Sequence, residues 1–436
     1  MTFFKHHGIK HNTESLLVYM STLLIFAIPT IIDHSYSVGA VILFVAYLTF
    51  KSKLSLDSLG VQEKILISGF VVFSILSGIA SIYHFELHNL LKISLKFFLA
   101  VFILIYLLQY PPNPFFFFTC CAIGAIGSGA ISIYQLNISH ISRPHGHINP
   151  IFFASITLCL VTFCLFGTYA AQQLNKKTTR YAYILLLVFG AIIGLAAVFL
   201  SASRGAWIAI PFVVLGMMLL YKPAVKYLVA IAMVLVVGLA VAWHAPQSTI
   251  KDRFMQATSD IKRYSEGEQQ FTSVGARLDV WKGGTYLIAE KPIAGWGKKG
   301  ASKRINQLAE DGLILKSTIH ISHWHNWFID TFVKQGVIGF IGVLILFIVP
   351  FALFYRETHR QNVRNIHRSL AFSGVLIVFL FAIFSLTDVI LAHTVGIIFY
   401  SLSICYLWAM LKKAKETKAD KSQICTERAP PTLSHI

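Results

Sequence analysis

Charge is what this sequence has least of. Charged residues make up 13% of its 436 positions, against a share near a quarter in soluble domains. With 56% hydrophobic residues and a mean hydropathy of +0.67, the chain is excluded from the ordinary soluble class and reads as a polytopic membrane protein. Cysteine is scarce where a disulfide framework would need it. Cys120, Cys121, Cys159, Cys164 and Cys405 lie inside apolar runs and Cys425 in the C-terminal tail, so no such framework is expected. No small-residue cleavage site follows the first apolar run, which is therefore expected to stay as a helix and not to be removed as a signal peptide. A repeat of fixed period is also absent. The formal net charge of +18 would suggest nucleic acid in a soluble chain. Here lysines and arginines cluster in short loops between apolar runs, so the charge reports topology and no nucleic-acid partner is expected.

Apolar runs of the length that spans roughly 30 Å of hydrocarbon, about 20 residues each, fall near 15–33, 35–50, 64–84, 93–110, 115–136, 150–172, 181–200, 205–221, 227–245, 327–354, 369–387 and 393–411. The expected fold is an all-α bundle of about twelve transmembrane helices. Residues 1–245 carry the first nine, 246–325 form an outer loop, and 326–411 carry the last three. Residues 412–436 are a polar tail expected to be disordered. The basic loops (Lys51 to Lys64, Lys176 to Arg180, Lys222 and Lys226, Arg356 to Arg368, and the tail from Lys412) fall on one side, which the positive-inside rule makes cytoplasmic, with both termini in it. The long loop escapes the rule because long loops translocate regardless of charge.

That loop carries helical periodicity. Ile250, Phe254, Ala257, Ile261 and Tyr264 predict an amphipathic helix on the membrane surface. A second helix is expected over 276–290, with Arg277 and Trp281 one turn apart on one face, ended by Lys291-Pro292 and the turn Gly295–Gly300. A third short helix is expected over 301–310. The stretch His323–Gly339, HWHNWFIDTFVKQGVIG, then passes from a polar, histidine-rich segment into an apolar run, so His325 sits at a water–membrane boundary.

The informative residues are charges on the side that the topology keeps poor in them. Arg204, in SASRGAW, lies at the outer end of a hairpin with hardly any loop; it is either a snorkelling arginine or an anion ligand. Arg143, before the Pro144 and Gly146 turn, shares that placement. Lys92 and Lys96, one turn apart, suit contact with lipid headgroups. His320, His323 and His325 match no metal signature by spacing, and the loop has no cysteine, so no metal is expected. A boundary histidine is usually a structural hydrogen bonder, but one sharing its side of the membrane with several arginines fits the pattern of a reaction centre.

These residues resemble the O-antigen ligase family, with its polymerase relatives. The family's motif of His, then Asn, Ser or Gln, nine residues, Gly, two residues and Gly, Thr or Tyr is met by His325, Asn326, Gly336 and Gly339. The stretches Ser203–Trp207, Arg277–Gly297 and Arg143–Pro150 also look like family segments, in the family's order. The resemblance covers roughly residues 140–390. It implies a glycosyltransferase C-like architecture in the bacterial inner membrane, with a periplasmic active site that needs no cofactor. The implied reaction transfers a glycan from an undecaprenyl pyrophosphate carrier to a sugar hydroxyl of the lipid A core, with inversion. In that reading His325 is the general base, Arg204 and Arg277 stabilise the pyrophosphate, and Arg143, Asn326, Trp281 and Lys96 contact substrate. Asp388 is placed to orient or charge-stabilise His325, with helix capping or a salt bridge as its other reading. Polymerase or protein O-oligosaccharyltransferase activity stays open within the same superfamily. A lipid-linked glycan flippase fits less well, because the unusual charges gather at the outer ends of the spans and not at mid-span.

Overall fold

The computed structural model describes residues 13–50, 59–222, 255, 258–259, 273–315 and 323–427, all helix, turn or irregular segment with no strand among them. In chain order the helices are α1 (Thr13–Thr22, continued by a π turn to Ala27), α2 (Ser35–Thr49), α3 (Val61–Tyr83), α4 (Leu87–Gln109, with a π turn at Leu90–Ser94), α5 (Pro114–Asn137), α6 (Pro150–Ala171), α7 (Lys177–Leu200) and α8 (Arg204–Tyr221). There follow α9 (Ser273–Glu290), α10 (Gly297–Glu310), α11 (Trp327–Thr358), α12 (Asn365–Thr387) and α13 (Thr394–Glu427). Among the described residues nine helices are long and apolar enough to cross a membrane: α3 to α8 and α11 to α13. The first two expected spans form shorter apolar helices, Thr13–Ala27 and Ser35–Thr49. At about 1.5 Å per residue each of these falls short of 30 Å. The expected span at 227–245 and the surface helix at 249–264 lie outside the described residues, apart from isolated positions.

The bundle is organised around α6 and the apolar part of α13, whose span windows are 89% and 94% buried, against 28% for α8. Small residues allow the closest approaches. A Cβ on Gly190 would meet Ala122, and one on Gly194 would meet Ala125 and Val161, so α7 lies tightly on α5 and α6. A polar cluster closes the end of the bundle far from Trp327. Glu357 of α11 takes Lys415 Nζ at 2.6 Å and faces His367 Nε2 at 3.2 Å, and Gln62 donates to it at 3.2 Å. The sequence reading expected disorder from residue 412, yet α13 runs on to Glu427. Lys415 anchors α13 to α11 through its ion pair with Glu357.

The segment between α8 and α11 has its own core, in which Val280 and Leu287 of α9, Ile305 and Leu308 of α10, Trp324, and Val333 of α11 pack together. The expected second helix is found, three residues longer at its start, while the third begins at Gly297 and absorbs most of the expected turn. What joins this segment to the bundle is a break in α11. Gly336 adopts φ 64° and ψ −164°, a conformation open to glycine and strained for other residues. The Val337 N–H released there donates to Pro292 O at 2.8 Å, and Val333 O accepts from Trp296 N at 2.9 Å. Gly295, with φ 72°, closes the contact: a Cβ there would lie 2.6 Å from Gly336 N. The two glycines thus meet backbone to backbone, and the loop Pro292–Trp296 satisfies the groups that the broken helix exposes.

Candidate active site

His325 is held on both sides along the chain. The indole N–H of Trp281 donates to Trp324 O at 2.8 Å, and Asp330 Oδ1 accepts from Trp324 N at 3.3 Å. Just after it, the Asn326 side-chain oxygen accepts from Phe328 N and Ile329 N at 3.0 and 3.2 Å and so caps α11. Asp330 also pairs with Lys334 at 2.6 Å. These restraints keep His325 at φ 47°, a left-handed conformation that costs on the order of 1–3 kcal/mol and persists only where its surroundings impose it.

The His325 Nδ1 is buried without a hydrogen-bond partner and faces Asp388 Oδ1 at 3.9 Å. That separation is too long for a hydrogen bond, so the contact is electrostatic. It favours the tautomer with the proton on Nδ1 and leaves Nε2 as the acceptor. The His323 ring packs edge-on at 4.3 Å between centroids. Burial, then the neighbouring His323 and Arg277, push the His325 imidazole down to about 4, and Asp388 opposes them. The imidazole is therefore neutral near pH 7 and able to accept a proton. Burial also draws the Arg277 guanidinium down, and Asp388 counters it.

Asp388 follows the end of α12 and stands between two cavities. Its neighbour Thr387 lines the smaller, of about 90 Å³, together with Arg143, Arg204, Arg277, Ser203 and Ile151. Three guanidiniums thus converge with no carboxylate among the lining residues. The cavity also takes the N-terminus of α8 and the residues leading into it, Ala202–Gly205, where the backbone N–H groups have no intrahelical acceptor and the helix dipole favours an anion. Ala202, at φ 52°, takes a left-handed conformation in the short turn between α7 and α8. The buried Ser203 hydroxyl makes no hydrogen bond among the described residues.

Val389, on the other side of Asp388, lines the larger cavity of about 280 Å³. Phe73, Ile93 and Trp327 supply apolar wall, and Lys92, Lys298, Lys334, Asp330, His323 and His393 supply the polar groups.

The structure therefore brings together His325, Asp388, Arg277, Arg204 and Arg143. The Trp281 indole N–H and the Asn326 side-chain oxygen are engaged in the fold next to His325, and Lys96 donates to Thr394 Oγ1 at 2.7 Å beside the 387–393 turn. Asp330, Ser203, Lys298 and Lys334 had not been singled out. An acid in the first turn of an apolar span, as Asp330 is, was the available signal. His323, His325 and Asp388 each place one possible ligand atom within 4.8 Å of the others; Arg277, electrostatically coupled to both His325 and Asp388, opposes a cation there.

Residues 189–344 match the family model described as O-Antigen ligase. The match takes in Arg204, Arg277, His325 and both glycines of the α11 break, and leaves Arg143 and Asp388 outside. An uncharacterized protein of Haemophilus influenzae is 25% identical over 399 residues, which cover 91% of this chain and 98% of that one.

Proposed function

We propose that this chain, whose residues 189–344 match the family model described as O-Antigen ligase, is a ligase of that superfamily. It moves a finished glycan from undecaprenyl pyrophosphate to a sugar hydroxyl of lipid A–core, at the periplasmic face of the bacterial inner membrane. The observation that carries this reading is the three-arginine cavity set directly beside a neutral, carboxylate-backed histidine.

The chemistry follows from that pairing. The acceptor oxygen attacks the anomeric carbon from the face opposite the pyrophosphate, which inverts the centre. A bond forms between that oxygen and the carbon, and the bond from the carbon to the pyrophosphate oxygen breaks. The acceptor proton goes to His325 Nε2. The charge that develops on undecaprenyl pyrophosphate is met by Arg143, Arg204, Arg277 and the α8 N-terminus. Each charge-assisted contact is worth about 1.5–3 kcal/mol, more in a water-poor site. Because a pyrophosphate leaves readily, no general acid is required. Asp388 stabilises the imidazolium as it forms.

The test uses membranes supplied with carrier-linked glycan and lipid A–core. His325→Ala is expected to abolish transfer at normal levels of inserted protein; retention of near-normal transfer would remove His325 from the mechanism. Growth of polymer on the carrier, in place of transfer to lipid A–core, would instead assign the polymerase activity.

A further inference from the structure

The larger cavity is not explained by a donor pyrophosphate seated on the arginines. Its charged lining consists of Lys92 from the π turn of α4, Lys298 from α10, Lys334 from α11 and a single carboxylate, Asp330. Asp330 is taken up by Lys334 at 2.6 Å. Lys92 and Lys298 form no ion pair through their side chains among the described residues. The Glu86 carboxylate accepts from the backbone N–H of Lys298 but pairs with neither ammonium, so two cations without a side-chain ion pair face one open, partly apolar chamber, an arrangement that favours entry of an anion. Lysine suits phosphate as a compact point charge with rotatable donors, whereas the planar, bidentate donors are all in the other cavity.

The position of the chamber says which substrate it serves. His323 lines it and packs edge-on against His325, while Thr387 and Val389, either side of Asp388, face the smaller and the larger cavity respectively. The base and its carboxylate therefore form the partition between two anion-binding chambers, one of guanidiniums and one of ammoniums. A group-transfer site of this kind needs the leaving group on one side of the base and the attacking hydroxyl on the other. His393, against Phe152 at 4.6 Å, completes the rim.

Resting on the ligase reading, we propose that this lysine chamber is the acceptor site and that it recognises a phosphate group on the acceptor saccharide. Lys92 and Lys298 hold the phosphate, and Phe73 and Trp327 give the saccharide an apolar face. The chamber selects acceptors by charge before His325 meets the hydroxyl.

The experiment uses the full chain in lipid nanodiscs, with lipid A–core as acceptor and, in parallel, the same material stripped of phosphate by aqueous hydrogen fluoride. Lys92→Gln and Lys298→Gln are each expected to raise the acceptor KM about tenfold, the loss of one charge-assisted contact, with the donor KM unchanged. Dephosphorylated acceptor is expected to bring the unsubstituted protein to the level of the double variant, and to leave the double variant unaffected. Direct binding of both acceptor forms to the purified protein, without donor, gives a readout separate from transfer. If lipid A–core is never glycosylated but still binds with lysine- and phosphate-dependent affinity, the ligase reading fails and the phosphate site stands. A rise in donor KM, or equal use of both acceptor forms by the unsubstituted protein, would overturn the proposal. So would variants without effect, which would make the lysines mere lipid-headgroup contacts.

Discussion

Replacing Asp388 by asparagine removes one charge and almost no volume. Asp388 is 5% exposed, and its Oδ1 accepts from Val389 N at 2.7 Å, a bond that the amide oxygen of asparagine can keep. Under the proposed mechanism, what is lost is the attraction between the carboxylate and the imidazolium that would form at His325 during proton transfer. At the observed 3.9 Å, two unit charges interact by about 4 kcal/mol at an effective dielectric constant of about 20. A half-developed imidazolium in the transition state would lose about 2 kcal/mol. At 1.36 kcal/mol per tenfold, Asp388→Asn is expected to lower kcat for transfer by roughly 30- to 1000-fold. Arg277 also faces Asp388, so the separation of kcat from KM decides the role. The assay is a steady-state transfer measurement with purified protein, varying donor and acceptor in turn. A fall in kcat at unchanged donor KM fits a carboxylate acting through His325. A kcat within about threefold of the unsubstituted protein would refute the electrostatic argument, and a loss confined to donor KM would give Asp388 to the arginine cavity instead.

The arginines should separate by chemistry as well as charge: Arg204→Ala and Arg277→Ala are each expected to reduce transfer about 10- to 150-fold, and Arg277→Lys to recover little, because a single ammonium does not reproduce a planar bidentate donor. Since the His325 pKa lies at about 4 and not at the ordinary 6.5, its base form persists as pH falls. kcat/KM is expected to stay level down to about pH 5 and to drop tenfold per unit only below about pH 4; a half-drop near pH 6.5 would show an unperturbed imidazole. Gly336→Ala would set a Cβ 2.0 Å from Ile293 O at a positive φ. A loss of more than about 2 kcal/mol of stability is expected, read as a lowered melting temperature or faster proteolysis of the segment that carries α9 and α10. Chelation with EDTA is expected to leave transfer unchanged, and loss restored by a divalent cation would instead assign the His323, His325 and Asp388 group to a metal.

The membrane class and the place of nearly every described span were legible in the sequence, as was the gathering of unusual charges at the ends of the spans. Apolar runs and basic loops report directly on what lipid will accept, and neither depends on how the helices pack. It also marked the two glycine motifs, Gly295 to Gly297 and Gly336 to Gly339, without showing that they are halves of one contact. Only tertiary structure decided that Gly295 meets Gly336 and that the loop before α10 mends the broken α11, because the partners are some forty residues apart in sequence and a backbone hydrogen bond leaves no side-chain signature. The same holds for roles. Trp281, read from the sequence as a substrate contact, donates its indole N–H to the Trp324 carbonyl, and Asn326, read the same way, caps α11 with its side-chain oxygen. Lys92, by contrast, looked like a headgroup anchor until α4, α10 and α11 enclosed it with Lys298 and Lys334. Whether a charge meets lipid, a partner or an empty chamber depends on which helices close around it, and that is set by packing across the whole chain.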